Sequence, residues 1–168
     1  MAQPQPAPRA KLVMGILYAN DQLFARTLFA LIKKFGPVQL NGPTIPFTFT
    51  PYYEEEMGKN LKKTYVAFIA PIQRESLPLI KQFTNTLEQQ LGKAGKRTVN
   101  IDPGYLTEQQ FVLASAKEHP YRIYVGDGIY AQLILVYTKQ GWVAVEKTFA
   151  DYQQKEVQEF LMNVRKTF

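Results

Sequence analysis

The spacing of apolar residues between positions 12 and 101 limits the fold most, because it alternates between short β-type runs and helical spacing. Leu12–Ala19 (LVMGILYA) is a short apolar run and suits a buried strand. Phe24, Leu28, Leu31, Ile32 and Phe35 then recur at helical spacing. Asn20 or Asp21 is placed to cap that helix, and Gly36-Pro37 to stop it. Asn41-Gly42-Pro43 reads as a turn. Phe47–Thr50 alternates with period two and Thr64–Ala70 is β-rich, so the pair is expected as a hairpin bent at Met57–Asn60. Ser76 is placed to cap a second helix, with Pro78 in its first turn. Ile80, Phe83, Leu87 and Leu91 would form its buried face, and Gly92 would end it. Thr98–Ile101 closes the series as a short strand.

These six elements follow the ferredoxin-like βαββαβ order. Thr107 and Gln110 then have capping-box spacing and predict a helix to about Lys117. Tyr121–Val125, Ile129–Tyr137 and Trp142–Thr148 read as a three-strand meander, with Gly126-Asp127-Gly128 as a hairpin turn. Val157, Phe160, Leu161, Val164 and Phe168 predict a C-terminal helix. The expected architecture is a single α+β domain over residues 11–168 with a mostly antiparallel sheet. The first ten residues, MAQPQPAPRA, are expected as a flexible Pro-rich tail. A doubly wound parallel sheet is the alternative; the two adjacent strands before residue 71 and the meander count against it.

Composition narrows the chemistry. With no Cys and one His among 168 residues, a thiol nucleophile, cysteine-ligated zinc and any site needing two histidines are excluded. There is no P-loop and no G-x-G-x-x-G. The tail lacks an apolar signal core, and no apolar run approaches the ~20 residues of a membrane span, so a cytoplasmic protein with no membrane partner is expected. The net charge is +6 and the pI about 9.4. Lys59-Lys62-Lys63 and Lys93-Lys96-Arg97 are the local basic groups; they suit phosphates, or simply a solvated loop rim.

Four stretches offer candidate site residues. Asn100-Ile101-Asp102-Pro103-Gly104-Tyr105 ends a strand in a Pro-Gly turn that would aim Asp102 and Tyr105 outward. A turn whose Asp bonds only its own backbone is the plainer reading. If Glu54-Glu55-Glu56 is extended, Glu54 and Glu56 share a face and suit a hard cation; the nearby lysines offer an ion-paired edge instead. His119 is the only imidazole, more at home in a loop than in catalysis. Arg122 enters a strand and suits an anion, and Asp127 sits in the Gly-Asp-Gly turn. The βαββαβ order would place strands two and four at opposite sheet edges, keeping Glu54–Glu56 far from Asp102.

Several blocks together resemble one family. They are Phe47–Thr50 with Tyr52–Gly58, Asn85–Glu88, Asn100–Thr107, and Leu113–Ser115 through Arg122–Tyr124 to Gly126–Ala131, with Phe149–Tyr152 at the close. The chain is similar to a prokaryotic family marked by an NIDPGY motif, domain of unknown function 4416. That family carries no established activity or cofactor. The resemblance implies that polar motif residues at turns do more than pack, which raises Asn100, Asp102, Tyr105, Arg122, Asp127, Glu54 and Glu56.

Three function classes remain, in this order. One is a binding protein or enzyme for a small anionic or phosphorylated ligand, supported if Asp102, Tyr105, Arg122 and Asp127 line one pocket. The second is a nucleic-acid-associated module, with exposed aromatics flanked by Lys and Arg. The third is a structural or interaction protein meeting a partner through the tail or C-terminal helix.

Overall fold

The computed structural model describes all 168 residues. Residues 1–9 are exposed and carry no regular secondary structure, and β1 (Ala10–Tyr18) begins at a fully buried alanine. Leu12, Met14, Ile16 and Tyr18 bury on one face of β1, Val13 and Leu17 on the other. That two-sided burial is why the run is apolar throughout. α1 (Asp21–Phe35) starts where Asn20 Oδ1 accepts the Leu23 N–H at 3.0 Å. It stops at Gly36, whose φ of 86° is a conformation glycine adopts without penalty.

β2 (Val38–Pro46) lies earlier in the chain than expected. Asn41-Gly42-Pro43 is an irregularity inside β2 rather than a turn. Phe47–Thr50 is not a strand: the ladder closes with Phe47 N–H to Leu61 O at 2.8 Å. Phe47, Phe49, Tyr52 and Tyr53 pack ring against ring, so the period-two pattern marks an aromatic cluster. A one-turn helix, α2 (Glu54–Met57), follows, and the chain bends at Gly58 and Asn60, both with positive φ. β3 (Lys62–Ile72) then leads through a 3-10 turn into α3 (Leu77–Leu91). The Ser76 hydroxyl donates back to Gln73 O and does not cap the helix.

β4 (Val99–Leu106) runs unbroken through the Asp-Pro-Gly segment that reads as a turn. β5 (Gln110–Ser115) replaces the helix expected over Thr107–Lys117. Thr107 Oγ1 does accept the Gln110 N–H at 3.0 Å, as a capping residue would. The Thr107 N–H also donates to Gln110 O at 2.8 Å, and the two bonds close a hairpin. Phe111 and Leu113 bury in one core and Val112 and Ala114 in another, which requires period two.

β6 (Ile123–Gly126), β7 (Ile129–Thr138) and β8 (Gly141–Ala144) complete the sheet, before α4 (Lys155–Arg165). The strand order is β2-β3-β1-β4-β5-β7-β6, with β8 also on β7, and every pairing is antiparallel. These strands are not a simple meander. β5 occupies one edge of β7, so β6 and β8 share the other edge at its two ends.

The fold is α+β, with helices on both sheet faces. α1 and α3 cover Leu12, Met14, Ile16, Val66, Phe68, Val99 and Ile101. α4 covers Val13, Tyr65, Ala67, Leu106 and Phe111 with Val157, Phe160, Leu161 and Val164. Each fully buried aliphatic or aromatic side chain contributes ~1.5–3 kcal/mol. Phe168 lies beyond α4 and is half exposed. No helix is long and apolar enough to cross a membrane.

Candidate functional site: a fork between β4 and β5

β4 pairs with β1 along its whole length but with β5 only at Gly104–Leu113, Tyr105–Val112 and Leu106–Phe111. Strand alternation sends the main-chain groups of Thr107, Tyr105, Pro103 and Ile101 toward β5. The next bonded position past Tyr105 sets Pro103 opposite Ala114, and proline has no N–H to donate. The ladder ends there and the strands part. Gly104 permits the last close approach: a Cβ on it would lie 2.5 Å from Val112 O. Beyond the fork, α3 takes the place of a strand. Ile101 N–H donates to Glu88 Oε1 at 2.7 Å, and Lys81 Nζ donates to Ile101 O at 2.8 Å.

A cavity of ≈ 420 Å³ opens at this fork, within the size range of small-molecule sites. Asn100 and Asp102 line it from β4, Asn85 and Glu88 from α3, Tyr53 from the β2–β3 connection and Arg122 from the approach to β6. Among its buried charges is Lys63, whose side chain is 5% exposed. Lys63 Nζ lies 2.8 Å from Asp102 Oδ2 and 2.8 Å from Asp151 Oδ2. Tyr65 Oη donates to the same Asp151 oxygen at 2.8 Å. Gly15 on β1 opens the lane between β3 and β4: a Cβ there would lie 2.6 Å from Lys63 Cε and 2.9 Å from Tyr152 Oη.

Burial works against the charge on Lys63, but Asp102 and Asp151 outweigh it and hold its pKa well above the ordinary lysine value. Burial likewise opposes ionisation of Asp102; Lys63, Lys81 and the Asn100 amide overcome it, and the carboxyl stays below its usual range. The group is a locked ion cluster. Glu88 differs: burial pushes it up to about 7, with Lys81 only partly offsetting.

The wall of the cavity is a relay of hydrogen bonds. Arg97 binds Glu56 through Nε and Nη2, at 3.0 and 2.6 Å, and donates from Nη1 to Asn100 Oδ1 at 2.9 Å. Asn100 Nδ2 donates to Asp102 Oδ1 at 2.9 Å. Glu56 is therefore tied to Asp102 through two residues, against the expected separation. The strand order is not at fault: the 47–61 connection folds back across the strand ends, and further strands beyond β4 make it an interior strand.

Arg122 stands apart. Its Nε donates to Gln132 Oε1 at 2.9 Å, and its Nη1 to Ser115 Oγ and Lys117 O, both at 2.8 Å. All three acceptors are neutral, Nη2 is not used, and no carboxylate lies within 4.0 Å of the guanidinium. Lys117, also on the cavity, has no acidic partner; its Nζ donates to Tyr52 Oη and sits 4.5 Å from that ring's centre.

Of the expected site residues, the structure brings Asn100, Asp102 and Arg122 to the cavity, with Glu56 behind them. It separates the rest. Tyr105 points to the other sheet face, against Leu77, Val112 and Ala114. Asp127 is at the exposed β6–β7 turn, where its carbonyl accepts from Gln82 Nε2. Glu54 is exposed in α2, which is helical, so it does not pair with Glu56 as strand spacing would have it. His119 is exposed, its Nδ1 accepting from Tyr121 N–H at 3.4 Å. No group of three or more His, Asp or Glu side chains converges anywhere.

Sequence reasoning missed Lys63, Lys81, Glu88, Arg97 and Asp151. It read Lys63 and Arg97 as a basic rim, whereas Lys63 is buried and Arg97 is held by Glu56. One signal was present: Lys81 and Glu88 fall on the buried stripe of α3 with Leu77, Ile80, Thr84 and Leu87, where charge is out of place.

The fold and the fork define a class: a single α+β domain whose antiparallel sheet is interrupted to admit a polar cavity. Within that class, the chain belongs to the family described as Domain of unknown function (DUF4416), whose model matches residues 8–168. No curated protein and no solved structure matches the chain.

Proposed function

We propose that this domain binds a small anionic molecule in the fork cavity, with Arg122 and Lys117 receiving the anion. The observation that carries this is Arg122: a half-buried guanidinium, oriented by three neutral acceptors and left without a carboxylate. A cation held in place on a cavity wall without an ion-pair partner is the arrangement that recognises phosphate or carboxylate groups. The Lys63 cluster does not compete for the anion, because its two carboxylates outnumber its one lysine.

Thermal melting against inorganic phosphate, sulfate, phosphorylated metabolites and carboxylates, with chloride at equal ionic strength as control, tests the reading. A ligand at 100 times its Kd adds about 2.7 kcal/mol, a rise of several degrees. The expected result is such a rise, lost in Arg122→Gln. Melting temperatures that match chloride for every anion overturn the proposal.

A further inference from the structure

Resting on that reading, we infer that the ligand is a phosphorylated polyhydroxy molecule of the sugar-phosphate class, its phosphate at Arg122 and Lys117 and its hydroxyls at Asp102, Asn100 and Asn85. The cavity lining holds two chemically different sets of side chains. The cationic set is Arg122 and Lys117, and two positive charges without ion-pair partners suit a dianion better than a single carboxylate.

The other set is built of acceptors and amides. Asp102 is 24% exposed to the cavity, and each of its oxygens accepts only one bond, from Asn100 Nδ2 and from Lys63 Nζ. An ionised carboxylate has about four acceptor positions, so about two remain open. With one lysine between two carboxylates the cluster keeps an excess of negative charge, so an anion is repelled from it, whereas a neutral hydroxyl can donate to the open Asp102 positions. Asn85 adds an amide on the same cavity that makes no hydrogen bond within the protein. Tyr53 and Phe47 give the wall its ring surface, suited to the C–H face of a sugar. A ligand with no hydroxyls would leave the Asp102 acceptors and the Asn85 amide unsatisfied, which is how a polar site discriminates.

Titration calorimetry on the full chain compares inorganic phosphate, glucose and a panel of pentose and hexose monophosphates. At least one sugar phosphate is expected to bind tenfold or more tightly than inorganic phosphate, with glucose far weaker than either. Asn85→Ala and Asp102→Asn are expected to erase most of that advantage while leaving phosphate affinity within about threefold. Asn85→Ala removes no hydrogen bond of the fold, so it remains informative if Asp102→Asn does not fold. If phosphate binds through Arg122 and no sugar phosphate binds more tightly, this inference fails and the anion site stands. If neither binds, both fail.

Discussion

Two groups of charge sit on one cavity and are built in opposite ways. Lys63 is nearly inaccessible and lies between two carboxylates at equal distance. Arg122 and Lys117 reach the same space with no carboxylate within ion-pairing distance of either. The first group is closed in that its charges pair within the protein: Lys63 bridges two carboxylates and holds β3, β4 and the turn before α4 together. The second is open, with its geometry fixed by neutral acceptors and its charge unspent. The difference teaches where to look for function, because buried ion clusters secure a structure while an oriented, unmatched cation has no structural use for its charge.

The largest effect that could break this comparison is on Lys63. Lys63→Met leaves Asp102 and Asp151 without their shared cation and is expected to cost about 3–5 kcal/mol in denaturant unfolding. Adding Asp102→Asn and Asp151→Asn should recover much of the loss; if the single variant costs nothing, the cluster is not closed in the sense described.

Glu88 comes next. Its folded-state value of about 7 lies above the unfolded one, so the native state keeps a proton that the unfolded chain releases. Its contribution therefore grows as pH falls from 7 toward 5, by about 3 kcal/mol in all. Glu88→Gln should flatten the stability profile across that window, and an unchanged slope would refute the assignment. Asp102 and Glu56, both held below the usual carboxylate range, act in the opposite sense. Their stabilisation is present at neutral pH and is lost as the medium acidifies through their folded values.

The smallest effect is on the open pair. Lys117→Ala should leave the melting temperature unchanged without ligand and reduce only the anion-induced rise. A loss of stability in the free protein would place Lys117 among the structural charges.

The parts of the fold read correctly from sequence are those whose cause is local. α1 was legible because Asn20 caps it and one stripe is apolar, and β7 because a ten-residue run between glycine turns has few alternatives. β5 was misread because Thr107 makes the same hydroxyl-to-amide bond in a hairpin as at a helix start, and a run apolar on both faces carries no period. The site was half legible. Asn100, Asp102 and Arg122 stood out by type and motif, whereas Lys63 looked like a surface lysine because its partner Asp151 comes from near the other end of the chain. The meaning of Pro103 and Gly104 was hidden for a related reason: Asp-Pro-Gly spells a turn until a strand is known to lie beside it.

The substitution of α3 for a strand beside Ile101 has a spectroscopic consequence. Its amide is a sheet amide whose acceptor is an ionisable side chain on a helix. Most strand amides exchange with solvent only when the ladder opens, but this one is released whenever Glu88 swings away or α3 lifts. Its exchange rate and proton shift thus report on the cavity wall from inside the sheet, a built-in gauge of how often the fork widens.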